Sequence, residues 1–208
     1  MNGKVLNTTE SERDLGVVIE KNLKPSTQCR KAAARARVVL GQITRNFHYR
    51  DKKHFLRLYT QYVRPHLEFA SSAWSPWTAA DIQVLEKVQE QALRFTHGLK
   101  GETYLERCAE AGLETLEKRR YNQDMMQVFK IIKGIDKVSL EKLFTKVDHT
   151  AGTRNAVSQT NLKKKMARKE VRLNSFSLRV VDNWNRLPEE MKKLENPAPL
   201  KKFLKRKP

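Results

Sequence analysis

Leu58-Tyr-Thr-Gln-Tyr-Val-Arg-Pro-His-Leu-Glu-Phe-Ala-Ser-Ser-Ala-Trp-Ser-Pro76 runs from an apolar segment into an aromatic corner. The segment opens at Asp51, a helix-capping residue type, and repeats Phe55, Leu56, Tyr59, Tyr62 and Val63 at three- and four-residue spacing. That is the period of a helix with one buried face. Pro65 lacks a backbone N–H and crowds the preceding turn, so it is expected to break or kink this helix. Trp74 and Trp77, with Pro76 between them, then turn the chain.

The same period extends in both directions. Upstream, Pro25-Ser26-Thr27 offers an N-cap to a helix whose stripe is Ala32, Ala36, Val39, Leu40, Ile43 and Phe47. Downstream, Asp81 is read as the cap of a helix with Ile82, Leu85, Val88, Ala92 and Phe95 on one face, stopped by Gly98 and Gly101. A short helix from Tyr104 to near Gly112 follows. A longer one begins at about Leu116 and aligns Tyr121, Met125, Val128, Phe129 and Ile132 before Gly134. The period fades from Thr145 to about Asn174 and returns with Phe176, Val180, Val181 and Trp184. Leu187-Pro188 ends that stripe, and Leu200, Phe203 and Leu204 mark a terminal basic helix.

One β-branched patch stands outside this pattern. Residues 14 to 20, Asp-Leu-Gly-Val-Val-Ile-Glu, read as a single strand, and no second convincing strand follows. An unpaired strand leaves its backbone groups without partners, so it is expected to be the edge of a sheet whose remainder is absent. The expected fold class is therefore mainly α: a helical bundle with a short vestigial N-terminal β-strand and a basic C-terminal extension.

At 208 residues, with 39% hydrophobic and 31% charged, the chain can bury a core and is not compositionally disordered. Its net charge of +19 is unevenly placed. Residues 1 to 64 hold 14 Lys/Arg against 5 Asp/Glu, residues 65 to 160 hold 13 against 13, and residues 161 to 208 hold 15 against 5. A neutral middle between basic ends points to a polyanionic partner, nucleic acid or an acidic membrane surface, against the alternative of merely solvated helix faces. The opening Met1-Asn-Gly-Lys-Val has no apolar h-region, and no apolar run approaches the length of a membrane span. Cys29 and Cys108 lie far apart, as expected of reduced thiols. An intracellular protein, nuclear or cytoplasmic, without membrane attachment, is the expectation. Lys201-Lys202 and Lys205-Arg206-Lys207 are a candidate nuclear address.

Catalysis requires convergent groups, and the sequence offers few. There is no Gly-rich phosphate loop, no Gly-x-Ser-x-Gly elbow, no cysteine pair at finger spacing and no Asp-Asp pair for two-metal transfer. His48, His54, His66, His97 and His149 are scattered, Cys108 sits in an apolar setting that suits a structural thiol, and Glu68 reads as a helix-pairing residue. No catalytic residue, metal or cofactor is expected. The candidate residues are instead cations: Arg30, Lys31, Arg35 and Arg37 on the first helix, and Lys163, Lys164, Lys165, Arg168, Lys169 and Arg172 in the later basic stretch. Clustered cations neutralise phosphates and release counterions with little sequence preference. Trp74 and Trp184 fit core positions, whereas Trp77, at a turn beside Pro76, is the candidate for stacking on an unpaired base.

A series of phrases occurs in one order: Glu12-Arg-Asp-Leu-Gly-Val17, Gln28-Cys29, Val39-Leu-Gly-Gln-Ile43, Leu58-Tyr59, Tyr62-Val-Arg-Pro-His-Leu-Glu-Phe69, Trp74-Ser-Pro76, Leu85-Glu-Lys-Val-Gln89, Leu116-Glu-Lys-Arg-Arg120, Thr153-Arg154, Phe176-Ser177 and Trp184-Asn-Arg-Leu-Pro188. Together they resemble the C-terminal region of the reverse transcriptase of non-LTR (LINE-type) retrotransposons, of the jockey-like and related vertebrate clades. The resemblance spans nearly the whole chain. It implies a palm-to-thumb junction remnant at 1–24, a helical thumb-like domain at 25–144, a basic connector at 145–174 and a C-terminal helical segment at 175–208. It also implies that the fingers and most of the palm, with the Tyr/Phe-x-Asp-Asp metal motif, belong upstream of Met1, so no catalytic residue carries over.

The expected function is that of a truncated, non-catalytic remnant of an RNA-directed DNA polymerase that binds RNA or RNA/DNA through phosphates. The alternative is a helical protein-interaction module, for self-association or a partner helix, with no nucleic-acid role; a separate palm-bearing protein is the further candidate partner, with which an active polymerase would be assembled.

Overall fold

The computed structural model describes residues 8–147 and 160–206. Within them the chain is mainly α, with two short antiparallel strand pairs. It forms two compact units, Met1–Lys118 and Arg119–Pro208. This division differs from the sequence boundaries at 24/25, 144/145 and 174/175. Loops and charge mark boundaries in a sequence, whereas a compact unit is defined by which apolar faces share a core.

In the first unit, the expected lone strand is a hairpin. β1 (Ser11–Asp14) pairs antiparallel with β2 (Val17–Glu20) in the register Asp14↔Val17 and Arg13↔Val18. Leu15 and Gly16 form the two-residue turn, with φ of 45° and 89°. Two consecutive positive φ values match the twist of the flanking strands, as a type I′ turn does. The partner was missed because β1, Ser-Glu-Arg-Asp, is polar throughout and exposed, and because Leu is a costly residue at positive φ.

α1 (Ser26–Asn46) buries Cys29, Ala32, Ala33, Ala36, Leu40 and Ile43. Its small residues allow close approach by α5 (Ala79–Phe95), which contributes Leu85, Val88 and Ala92. Neither N-cap expected here is used as read. Ser26 Oγ instead donates to the Asp81 carboxylate (2.8 Å), and α5 is capped by Thr78, whose hydroxyl accepts from the Asp81 N–H (3.2 Å). Phe47 lies past the end of α1 and is exposed. α5 ends at Phe95, before either glycine expected to stop it.

Asp51 does cap α2 (Lys52–Leu58), accepting from the His54 N–H at 3.1 Å. Pro65 is absorbed without a sharp break. A π-helical turn at Tyr59–Val63 widens the helix so that Arg64 N–H reaches back to Tyr59 C=O, and α3 (Arg64–Glu68) continues with Pro65 in its first turn, where no N–H is needed. Tyr59, Val63 and Leu67 are buried, while Tyr62 faces outward. α4 (Ser71–Trp74) closes the corner, with Trp74 in the core as its position in the pattern requires.

α6 (Tyr104–Ala111) carries a full capping box between Thr103 and Glu106 and ends at Gly112 with φ 67°, as its sequence implies. A buried relay holds the region together. Tyr59 Oη donates to Gln89 Oε1 (2.8 Å), and Gln89 Nε2 reaches Tyr104 Oη (2.9 Å) and the Glu114 carbonyl (3.0 Å). Tyr104 in turn donates to Glu86, whose carboxylate also accepts from the Leu116 and Glu117 N–H groups at 3.1 and 2.7 Å. Glu86 thereby supplies the cap for α7 (Leu116–Ile132) from another helix.

Burial, and then the charge of Glu86, pushes Tyr104 above its ordinary value of 10.0, and burial pushes the Cys108 thiol above 9.0. Both shifts favour the neutral group in the folded state, so their contribution is complete below about pH 9 and is lost as pH rises through the folded values. Urea midpoints are expected to fall as pH rises above 9, with tyrosinate absorbance from Tyr104 appearing only on unfolding. A flat midpoint to pH 11 would contradict this.

In the second unit, α7 supplies Met125, Val128, Phe129 and Ile131 to a core completed by Val180, Val181 and Trp184 of α10 (Phe176–Asn185) and by Leu200 and Leu204 of α12 (Pro197–Arg206). Arg179 grips Asp124 through Nε (2.9 Å) and Nη2 (3.1 Å), a two-point contact shielded from solvent.

The stretch read as a connector is partly built into this unit. After α8 (Leu140–Leu143), β3 (Thr145–Lys146) pairs with β4 (Leu162–Lys163), and α9 (Glu170–Leu173) follows. Residues 148–159, with His149, Thr153 and Arg154, lie outside the described residues. Leu162 is buried, and Asn185 holds both its N–H and its C=O at 2.9 Å. Trp184 Nε1 donates to the Thr160 carbonyl (2.9 Å), and Lys192 of α11 (Glu189–Lys193) donates to Asn161 Oδ1 (2.7 Å). A two-residue strand has no period to detect. It is fixed by these side chains from distant positions.

Candidate nucleic-acid interface

The first unit contains a groove of about 810 Å³ with three walls. The hairpin contributes Arg13, Gly16 and Val18; α1 contributes Gln28, Lys31, Ala32 and Arg35; α3 and its end contribute His66 and Phe69. No carboxylate lines it. Arg13 and Val18 are register partners, so their side chains share a face of the hairpin. Lys31 and Arg35 are one helical turn apart on the same face of α1. The hairpin is tied to α1 by the buried Gln28, whose Oε1 accepts from the Val18 N–H at 2.9 Å. Three exposed cations and an imidazole thus surround one depression, an arrangement that concentrates positive potential.

The backbone at the aromatic member of the groove is bonded on both sides. The Phe69 N–H donates to the Pro65 carbonyl (2.9 Å), and its own carbonyl accepts from Trp74 Nε1 (2.8 Å). The residue as a whole remains 58% exposed. One edge borders the hairpin turn: a Cβ at Gly16 would stand in van der Waals contact, 3.4 Å from Phe69 Cε1, and it is the φ of 89° that favours glycine at this position.

Comparison with protein-family models, with curated proteins and with solved structures found no match.

Of the cations singled out on the first helix, Lys31 and Arg35 line the groove, and Arg30 and Arg37 do not. Helix geometry turns those two to another face, where Arg30 donates to the Thr27 hydroxyl (2.9 Å) and Arg37 approaches the Val84 carbonyl (3.4 Å). Trp77 is half-buried and is not part of the groove either. Sequence reasoning missed Arg13, His66 and Phe69. Arg13 lay in an unrecognised strand, His66 was weighed only as one of five scattered histidines, and Phe69 falls outside the apolar period read for its helix.

In the second unit, Lys163, Lys165, Arg168, Lys169 and Arg172 are exposed and form no ion pair among the described residues. Lys164 differs: its ammonium is paired with Asp182. Among the described residues, no group of three or more His, Cys, Asp or Glu could hold a metal ion. His54 instead contacts Asp51 (3.0 Å), and Glu68 approaches Arg64 at 3.8 Å. Among the same residues, no helix is long and apolar enough to cross a membrane.

Proposed function

We propose that this chain is a non-catalytic, nucleic-acid-binding remnant of a non-LTR retrotransposon reverse transcriptase, contacting RNA or RNA/DNA through phosphates. The observation that carries the binding role is the groove between hairpin, α1 and α3, where Arg13, Lys31 and Arg35 converge without a carboxylate. Backbone neutralisation needs clustered charge and no particular donor geometry, and it is insensitive to base sequence. The exposed cations from Lys163 to Arg172 supply a second basic surface of the same chemistry. A palm-bearing protein is the partner that would complete an enzyme in this reading.

The test is fluorescence anisotropy of labelled single-stranded RNA and of an RNA/DNA hybrid, titrated with the chain at several salt concentrations. A log-log slope of about 0.7 to 0.9 per phosphate contact is expected. Absence of binding at low salt, with mass rising with concentration in light scattering, would replace this reading with that of a protein-interaction module. Primer extension by the isolated chain would contradict the non-catalytic assignment.

The second basic surface gives its own expected result. Lys163→Ala with Lys165→Ala should lower the salt slope by about 1 to 2, because each lost phosphate contact removes about 0.7 to 0.9. Lys164→Ala alone should change it least, since Asp182 already engages that charge. Equal effects at all three positions would show that the Asp182 pair is not maintained in solution.

A further inference from the structure

We propose that the groove selects an unpaired nucleic-acid strand over a duplex, with Phe69 as the platform on which one base stacks. This inference rests on the binding role proposed above and names the class of ligand.

Three observations point the same way. First, the groove combines cations with an aromatic face, and a base can reach that face only where it is unstacked and unpaired. A duplex offers phosphates to Lys31 and Arg35 but covers the faces of its bases. Second, the backbone that carries the ring is bonded on both sides, to Pro65 and to Trp74, the hairpin turn at Gly16 borders one edge of the ring, and more than half of the residue's surface stays open to a ligand. Third, about 810 Å³ is the scale of a site for a small organic ligand, which suits a short run of nucleotides and is far too small for a double helix. Arg13, Lys31 and Arg35 would hold the phosphates on either side of the stacked base. The two tryptophans of the core are excluded from this role, since Trp74 and Trp184 are buried.

The experiment compares a labelled oligouridine, an abasic strand of the same length and charge, and a fully paired RNA/DNA hybrid. Each is titrated by anisotropy with the full chain and with Phe69→Ala and Phe69→Tyr, whose folding is checked by circular dichroism. The full chain should prefer oligouridine to the hybrid. Phe69→Ala should weaken oligouridine binding by about 5- to 160-fold, the range for loss of one base–aromatic stack. It should leave the hybrid, the abasic strand and the salt slope unchanged, and Phe69→Tyr should restore affinity. Equal binding of strand and hybrid, or an equal effect of Phe69→Ala on all three ligands, would overturn the assignment while leaving phosphate binding intact. Binding of none of them would overturn the phosphate-binding role itself.

Discussion

Replacing Arg13, Lys31 and Arg35 together by alanine should weaken single-stranded RNA binding about a hundredfold at about 0.1 M salt and lower the salt slope by about 2. Each phosphate contact on a single strand contributes about 0.7 to the slope, so three contacts amount to about two decades at that salt concentration. All three side chains are exposed, and surface substitutions away from packed features change stability by about 0.5 kcal/mol or less. The loss therefore reads binding and not folding. The double variant Arg30→Ala with Arg37→Ala, on another face of α1, should change the slope less. If the two variants behave alike, the groove is not the binding surface and diffuse charge accounts for the affinity.

Lys192→Ala is expected to destabilise the second unit by about 3 kcal/mol. The Lys192 side chain is 1% exposed, and its ammonium donates to Asn161 Oδ1 (2.7 Å), the Asn185 carbonyl (3.3 Å) and Glu189 Oε1 (2.6 Å). Removing one member of a buried pair leaves its partners' polar atoms without that donor, at a cost of about 3 to 5 kcal/mol. The lower end applies because Glu189 is partly open to solvent. The same truncation frees the segment at 160–163 that Lys192 and Asn185 fasten, so hydrogen exchange at Leu162 should accelerate in the variant. Lys192→Met, which keeps the apolar stem, should recover part of the packing but not the protection of Leu162. Unchanged denaturation midpoints in both variants would show that the clamp contributes nothing.

Where one face of a helix is buried, the sequence was sufficient. Ala32, Ala36 and Leu40, or Met125, Val128 and Phe129, repeat with the helical period because each must meet the same core. The end of α6 was equally legible, since Gly112 is the residue best suited to the left-handed conformation there. Caps were less so. Asp81 and Ser26 are both capping types, yet they bond to each other across 55 positions, a choice made by the packing of α1 against α5.

The groove shows the same division. Lys31 and Arg35 could be read from one helix, but Arg13, His66 and Phe69 lie 18 to 38 residues from Lys31 along the chain, and Arg13, the nearest of them, is on a strand whose pairing had no apolar signal.

The sequence by itself determined the longer helices, their apolar faces, the mainly α class and the placing of positive charge at both ends, because these depend on residue type and local period, whereas the four- and five-residue helices α4, α8, α9 and α11 are too short to show a period. Only the tertiary structure decided that Leu15-Gly16 is a hairpin turn, that Pro65 is carried by a π-helical turn, that Leu162 is held by Asn185, and that three elements enclose one cationic groove around Phe69. Each of these rests on contacts between distant residues, whose energies are set by close packing and backbone satisfaction and leave no periodic mark along the chain.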